Sequence, residues 1–184
     1  MVPSETRAVN TRPIFAVLIC AASALAQNPS RPASTSTPWK PLEFLIGTWE
    51  AATRGGSAGA ATSGTYSFQL ELRGHVLARH SSNSGCKGPA DFDCDHGDLL
   101  YIYPDTPRQP YKAIYFDNEG HVIQYNVSSP AANTAVFLSS PSQPGPQFRL
   151  TYELKGSTMR GKFQIRMPGE TDFKSYLEWD GKKK

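Results

Sequence analysis

The 184-residue sequence lacks several features, and each absence narrows what the chain can be. Its longest apolar run covers residues 14–26 and is too short to cross a hydrocarbon core about 30 Å thick as a helix. The formal net charge is only +3, so the sequence lacks the strong positive surplus of a nucleic-acid-binding face. We therefore expect neither a transmembrane segment nor a nucleic-acid partner.

Recognisable catalytic and cofactor motifs are also missing. The sequence contains no Gly-x-Ser-x-Gly nucleophile elbow, phosphate loop, dinucleotide fingerprint or His-Glu-x-x-His zinc motif. We therefore assign no catalytic residue and no metal ligand. An enzyme whose catalytic groups assemble from distant positions would escape this search, so enzymatic activity stays open as an alternative.

Two groups of reactive side chains resemble functional sites, and each has a simpler interpretation. The first is a run of aspartates, Asp91, Asp93, Asp95 and Asp98. Counted from Asp91, the sixth and twelfth positions hold His96 and Ile102, where an EF-hand loop needs Gly and Glu. We interpret the run as a solvated loop. Adventitious metal contact through His96 is the alternative. The second group, Asp117 and His121, is spaced like an acid–base pair, but a cross-strand charge pair at a hairpin is the simpler interpretation.

The N-terminal segment predicts export. Arginines precede the apolar run of residues 14–26, which ends in the small-residue pattern Ala24-Leu25-Ala26. A basic stretch, a short apolar stretch and an A-x-A site are typical of a secretory signal peptide. We expect cleavage after Ala26, which removes residues 1–26 and leaves a periplasmic or secreted protein.

The three cysteines agree with this prediction. Cys20 leaves with the signal peptide; lipid attachment there is an alternative, although Ile19 is bulky where a lipoprotein signal needs a small residue. Cys86 and Cys94 remain as an even pair in an oxidising compartment, so we predict a disulfide. A metal pair is the alternative, although this spacing is not a familiar ligand pattern.

The rest of the chain divides into a linker and one domain. Residues 27–38 are rich in Ser, Thr and Pro without apolar periodicity, which predicts a disordered linker. Residues 39–184 open with a short helical turn over 41–46 and continue as strand-sized alternating runs. About ten strands are predicted, over residues 48–53, 64–73, 75–80, 98–103, 111–117, 121–127, 134–138, 147–155, 159–167 and 173–179.

The short links between these runs indicate antiparallel neighbours. Residues 117–120 (Asp-Asn-Glu-Gly) are typical of a tight turn that places Asp117 opposite His121. Ten sequential antiparallel strands favour an all-β, up-and-down barrel, because closure removes both exposed edges of the sheet. A two-sheet sandwich is the alternative that alternation alone leaves open.

Residues 42–50, Leu-Glu-Phe-Leu-Ile-Gly-Thr-Trp-Glu, resemble the first strand of calycin-type barrels, including lipocalins. With the meander that follows, residues 41–180 are similar in strand order to nitrobindin-like domains and to a related group of exported bacterial proteins of unknown function. The resemblance implies that Gly47 and Trp49 close the barrel and that Lys182 packs as a cation on the Trp49 ring. We expect Trp49 to fill the core and not to contact ligand.

Nitrobindin-like domains bind haem through a histidine near the C-terminal strands, and here the sequence departs from them. No histidine follows His121. Tyr176 is a possible iron ligand in chemical terms, but alternation places it on the face opposite Leu177 and Trp179. We therefore assign no cofactor and keep a haem-binding, nitrobindin-like protein as an alternative.

The tyrosines of the middle strands give the remaining functional signal. In the predicted hairpin register, Tyr115 shares a face with Ile123 and Tyr125. We interpret this face as the lining of a small-ligand cavity, in which Arg79 offers a charge to an acidic head group; ordinary packing is the alternative. The sequence thus predicts an exported barrel, monomeric or weakly dimeric, that binds a small hydrophobic or amphipathic molecule. An interaction module is a further alternative.

Overall fold

A computed structural model describes residues 37–106, 109–140 and 145–184. The predicted signal peptide lies outside these residues, as does the predicted linker except for Thr37 and Pro38, which begin a helix. No helix in the described part of the chain is long and apolar enough to span a bilayer.

The described residues form an all-β structure with a 3-10 helix, Thr37–Leu45, in front of it. A single turn of 3-10 helix, Leu72–Gly74, interrupts the strands. The strands are Gly47–Gly55 (β1), Ala61–Glu71 (β2), Val76–Lys87 (β3), Asp98–Thr106 (β4), Gln109–Asp117 (β5), Val122–Ser128 (β6), Thr134–Ser139 (β7), Gln147–Lys155 (β8), Thr158–Arg166 (β9) and Lys174–Lys183 (β10).

These ten strands form a closed up-and-down barrel. Each strand pairs antiparallel with its neighbours in sequence, and β1 pairs with β10 through contacts such as Trp49 with Lys183 and Thr53 with Trp179. The predicted barrel is confirmed, and the closure excludes the two-sheet sandwich. The predicted turn is also confirmed, since the Asp117 backbone N–H donates to the carbonyl of His121 at 3.3 Å.

One end of the barrel, where β1, β3, β5, β7 and β9 begin, is filled with side chains; we call it the closed end. The N-terminal 3-10 helix supplies part of the filling, and its apolar residues pack on inward-facing strand residues. Buried side chains here include Trp39, Leu42, Leu45, Trp49, Phe68 and Leu77. The indole N–H of Trp39 donates to the carbonyl of Gly74 at 2.7 Å, and that of Trp49 donates to the carbonyl of Leu45 at 2.9 Å. The closed end is therefore an apolar core whose indole donors are satisfied.

The first strand pairs with β10 to complete the barrel, and one expectation about the residues there is wrong. The cation over the Trp49 ring is Lys183, whose Nζ lies 5.5 Å from the ring centroid, and not Lys182. Gly47 has φ of +132°, and a Cβ there would lie 2.6 Å from Cε of Lys183. Glycine at this position thus permits both the backbone turn into β1 and the close approach of the lysine.

Several strand ends differ from the prediction. Leu72 is 72% exposed and not inward, because the chain leaves β2 at Glu71 for the 3-10 turn. Strand β3 continues to Lys87, well past the predicted end at His80. Strand β10 continues to Lys183, because pairing with β1 carries the lysines into the barrel wall.

Candidate ligand-binding cavity

The opposite end, which we call the open end, contains a cavity of about 470 Å³. Its lining combines aromatic and aliphatic side chains with a cluster of charged ones. Small residues of β1 and β2, such as Ala51 and Gly64, lie where the closed end has large ones. The cavity exists because the inward positions at this end are too small to fill the barrel.

The aromatic part of the wall comes from the last three strands. Phe148 and Phe163 stack at 5.8 Å between ring centroids, and Tyr176 meets Phe163 edge-on at 6.2 Å. Trp179 lies flat against β9 because residue 161 is glycine, where a Cβ would be 1.9 Å from Cε2 of the indole. These rings present apolar faces to whatever occupies the cavity.

The position of Tyr176 corrects the sequence analysis. Strict alternation placed this tyrosine on the face opposite Leu177 and Trp179, yet all three line the cavity. The register between β9 and β10 shifts between Ser175 and Leu177, so Tyr176 is the extra residue of a β-bulge. A bulge changes the direction of the side chain. It also reverses which of the preceding residues in the strand face inward.

A buried ion pair lies in the polar part of the wall. The guanidinium of Arg79 donates to the Asp98 carboxylate and to the hydroxyl of Tyr152, and the Ser81 hydroxyl donates to Asp98 at 2.7 Å. The side chains of Arg79 and Asp98 are only 8% and 10% exposed. Burial alone would raise the pKa of Asp98, but the charge of Arg79 and the hydrogen bonds hold it well below its usual range. The pair is therefore ionised at neutral pH.

His96 connects this pair to the rim of the cavity. Its Nδ1 lies 2.8 Å from Oε1 of Glu119, and its Nε2 lies 3.0 Å from the hydroxyl of Tyr115. Asp98, at 3.5 Å, raises the pKa of His96 most, burial opposes this, and Glu119 adds to it, so the pKa reaches about 9. The ring is thus an imidazolium near pH 7, whose two N–H groups donate to Glu119 and Tyr115.

The structure brings the three predicted ligand-binding residues to one cavity. Tyr115 pairs with Ile123 as predicted, and both line the cavity with Tyr125 and Arg79. The charge of Arg79 is already matched by Asp98, a pairing that the sequence analysis did not identify. That these residues bind a ligand remains a prediction.

The predicted disulfide between Cys86 and Cys94 is present, with Cα atoms 5.5 Å apart. The enclosed loop contributes Asp91, Phe92 and Asp93 to the cavity lining. The side-chain amide of Asn83 on β3 donates to the carbonyls of Cys94 and His96 at 3.3 and 3.0 Å. The disulfide and these hydrogen bonds hold the loop against the open end.

Two polar atoms in the cavity wall are buried without a well-formed hydrogen bond to the described residues, the hydroxyl oxygen of Tyr66 and Nε of Arg79. Tyr66 is 6% exposed, and burial raises the pKa of its hydroxyl, beside which the Trp179 indole lies. Buried polar groups are costly to leave unpaired. Both atoms are buried from solvent, so neither is offered to a bound molecule without movement of its neighbours.

Two further features of this end are less suited to a ligand. A depression of about 510 Å³ lies between β3 and the disulfide loop, lined by small and polar residues without aromatic side chains. Metal-ligating atoms come within 4.8 Å of one another in two overlapping groups, Asp93–His96–Glu119 and Asp117–Glu119–His121. Both groups share Glu119 and lie at the rim of the cavity.

The histidines of this chain do not fit a haem. Of the four histidines, only His96 and His121 line the cavity. Both ring nitrogens of His96 already lie within hydrogen-bond distance of Glu119 and Tyr115. The side chain of His121 is 63% exposed and pairs with Asp117. A histidine ligand needs a free nitrogen aimed at the iron, and neither histidine offers one. Tyr176 does line the cavity, so a tyrosine-ligated haem stays an alternative.

Sequence comparison adds no relative: no family model matches this chain, and no curated protein matches it. The closed ten-stranded antiparallel barrel is consistent with the calycin-like architecture expected from residues 42–50. The comparisons give no support for nitrobindin-like domains in particular.

Sequence reasoning missed several cavity residues, namely Tyr66, Phe148, Phe163 and Trp179. Alternation places most of these side chains on the inward faces of their strands, so the sequence predicts that they point into the barrel. Alternation does not give the position of each residue along the barrel axis. That position decides whether an inward-facing ring fills the closed end or lines the cavity.

Proposed function

We propose that this protein is an exported β-barrel that binds a small hydrophobic or amphipathic molecule in the open end. The observation that carries the proposal is the 470 Å³ cavity, walled by aromatic side chains, in a barrel whose other end is filled. Its volume falls in the range of about 300–1,000 Å³ that is usual for ligand pockets.

The packing of the closed end supports this proposal. Protein interiors are normally filled to crystal-like density, and an empty apolar space forfeits the dispersion contacts of its lining. This chain fills one end of the barrel with tryptophan, phenylalanine and leucine, and places Ala51, Gly64 and Ser81 at inward positions of the other. A bound molecule would supply the missing contacts.

Titration of the full chain with N-phenyl-1-naphthylamine, a neutral fluorescent apolar probe, tests the proposal. We expect saturable binding at one site, with energy transfer from Trp179 in the cavity wall. A Trp179→Phe variant should bind the probe with less energy transfer, because it removes the tryptophan that lines the cavity.

A cavity-filling variant gives the decisive comparison. Ala51→Phe places a ring inside the cavity and should weaken probe binding by about tenfold or more. Ala61→Phe is the matched control, since Ala61 is exposed on β2 and should leave binding unchanged. Equal binding by both variants would place the probe outside the cavity and contradict the proposal.

Native mass spectrometry of protein purified from its host tests the same proposal without a chosen probe. A retained lipid or other small molecule, released on unfolding, would support it. N-terminal sequencing of that material tests export, because cleavage after Ala26 makes Gln27 the first residue.

A further inference from the structure

The cavity has an excess of negative charge. The carboxylates that line it are Asp91, Asp93, Asp98, Asp117 and Glu119, and the basic side chains are Arg79, His96 and His121. Even with both imidazoles protonated, five carboxylates face three positive groups. A low-dielectric recess lined by one sign of charge focuses its field on the opening.

The deepest positive charge in this set is not free to attract an anion. Arg79 is paired with Asp98, and the two side chains are 8% and 10% exposed. The charges of this buried pair cancel at a distance. The guanidinium therefore does not favour a negative group in the ligand.

The rim keeps its surplus of negative charge after internal pairing. His96 pairs with Glu119 at 2.8 Å, and His121 pairs with Asp117 at 2.9 Å. Among the residues that the structure describes, neither Asp91 nor Asp93 forms an ion pair, although the disulfide loop holds both at the cavity. Two carboxylates thus remain for an incoming group.

An aromatic ring lines the same cavity as these carboxylates. Tyr176 lines the same cavity as Asp91, Asp93 and Glu119. Burial raises the pKa of its hydroxyl, and the charges of Glu119 and Asp91 raise it further. The Tyr176 ring packs edge-on against Phe163. An aromatic face next to carboxylates is the usual environment of a bound organic cation, attracted both by the ring quadrupole and by charge.

The aromatic wall of the cavity and the carboxylates at its rim together indicate the class of ligand. We propose that the cavity selects amphiphiles with a cationic end, such as an alkylammonium, whose apolar body lies on the aromatic wall and whose charge lies at the rim between Tyr176 and the carboxylates of Asp91, Asp93 and Glu119. This inference rests on the proposed function, since it assigns a charge to the ligand of the same cavity.

Three competitors with the same tail and different head groups test the selection. Octylammonium, 1-octanol and octanoate, kept below micelle formation near pH 7, are used to displace N-phenyl-1-naphthylamine from the full chain. We expect octylammonium to bind about tenfold more tightly than octanoate, with octanol between them. The preference should shrink as salt rises from about 50 to about 500 mM, because rim charges are partly exposed and screened.

A charge-neutralising variant tests whether the carboxylates at the rim cause the preference for a cationic head group. Asp91→Asn combined with Asp93→Asn should reduce the preference for octylammonium over octanoate at least several-fold. Glu153→Gln is the matched control. The substitution also removes a carboxylate, but Glu153 pairs with Lys155 and does not line the cavity. Circular dichroism and thermal melts confirm that each variant folds.

The outcomes distinguish the two proposals. Binding of the probe with octanoate competing as well as octylammonium would overturn the cationic preference and leave the proposed function standing. An unchanged preference in the double variant would equally overturn it. Failure of the probe itself to bind, or binding that survives Ala51→Phe, would remove the proposed function and this inference with it.

Discussion

The two ends of this barrel are made from the same strands and yet differ in what their interiors contain. At the closed end, large side chains from the strands and the 3-10 helix Thr37–Leu45 pack into a buried core, and indole donors bond to backbone carbonyls. At the open end, small inward residues leave a cavity of about 470 Å³ lined by aromatic and charged groups. The difference shows that alternation decides which side chains point inward, while residue size and the helix decide whether the interior is filled.

The largest expected difference between the ends concerns matched phenylalanines. Phe68 is fully buried at the closed end, so Phe68→Ala should lower the free energy of unfolding by about 3–5 kcal/mol through lost contacts and a new cavity. Phe163 already borders the cavity, and Phe163→Ala should cost only about 1–2 kcal/mol, because part of its surface has no contact to lose. Urea unfolding measures both. Equal losses would show that the open end is packed as tightly as the closed end.

The ion pair of the open end gives the next largest effect. Asp98→Asn leaves the Arg79 guanidinium buried without its counter-charge and should cost about 3 kcal/mol in urea unfolding. The exposed pair of Glu153 with Lys155 is the control, and Glu153→Gln should change stability by less than about 1 kcal/mol. A small loss in Asp98→Asn would mean that water reaches the guanidinium and that the cavity wall is wetter than its burial indicates.

Added volume should affect the ends in opposite ways. Ala135 is fully buried, so Ala135→Leu should overpack the barrel and cost about 1–3 kcal/mol. Ala51 lines the cavity, so Ala51→Leu should be close to neutral in stability while weakening probe binding. Thermal melts with and without N-phenyl-1-naphthylamine measure both effects, and a strongly destabilised Ala51→Leu would contradict the size of the cavity.

The smallest expected effect is a pH dependence that belongs to the open end. The pKa of His96 rises from the ordinary 6.5 to about 9 on folding, so its charged form is stabilised in the native state. This contribution is full below about pH 6.5 and is lost as the pH rises through about 9. Because nearly a third of the side chain is exposed, we expect a loss of only about 1 kcal/mol in the free energy of unfolding.

His96→Gln removes this group and should flatten the stability profile over the same range. Unfolding in urea at a series of pH values makes the comparison, and a proton titration of the His96 ring signals by NMR gives the pKa directly. A profile that keeps its slope in His96→Gln would assign the pH dependence to another group.

The fold was largely predictable because its main determinant is local. Alternation places Tyr115, Ile123 and Tyr125 on one face, and the turn at residues 117–120 sets their register correctly. Closure follows from the number of sequential antiparallel strands. The same pattern fails at Tyr176, where a one-residue bulge reverses the parity, and no local signal marks the bulge.

The chemistry of the site was less predictable because it depends on pairing between strands. Arg79 was identified as a candidate, but its bond to Asp98 arises because β3 and β4 lie side by side. The cation on Trp49 was assigned one residue too early, as Lys182, because strand length sets which lysine reaches the ring. The position of a residue along the barrel axis decides whether it lies in the core or at the cavity. The alternation of apolar and polar residues does not give this position.

Closure between β1 and β10 also has a consequence for biosynthesis. The two edges that meet in the finished barrel are separated by nearly the whole domain, so their hydrogen bonds form only after the final strand has emerged from the ribosome. Until then, a growing chain presents unpaired strand edges that can join those of other chains. Because such non-local pairing is slow, closure is the step at which folding and aggregation compete.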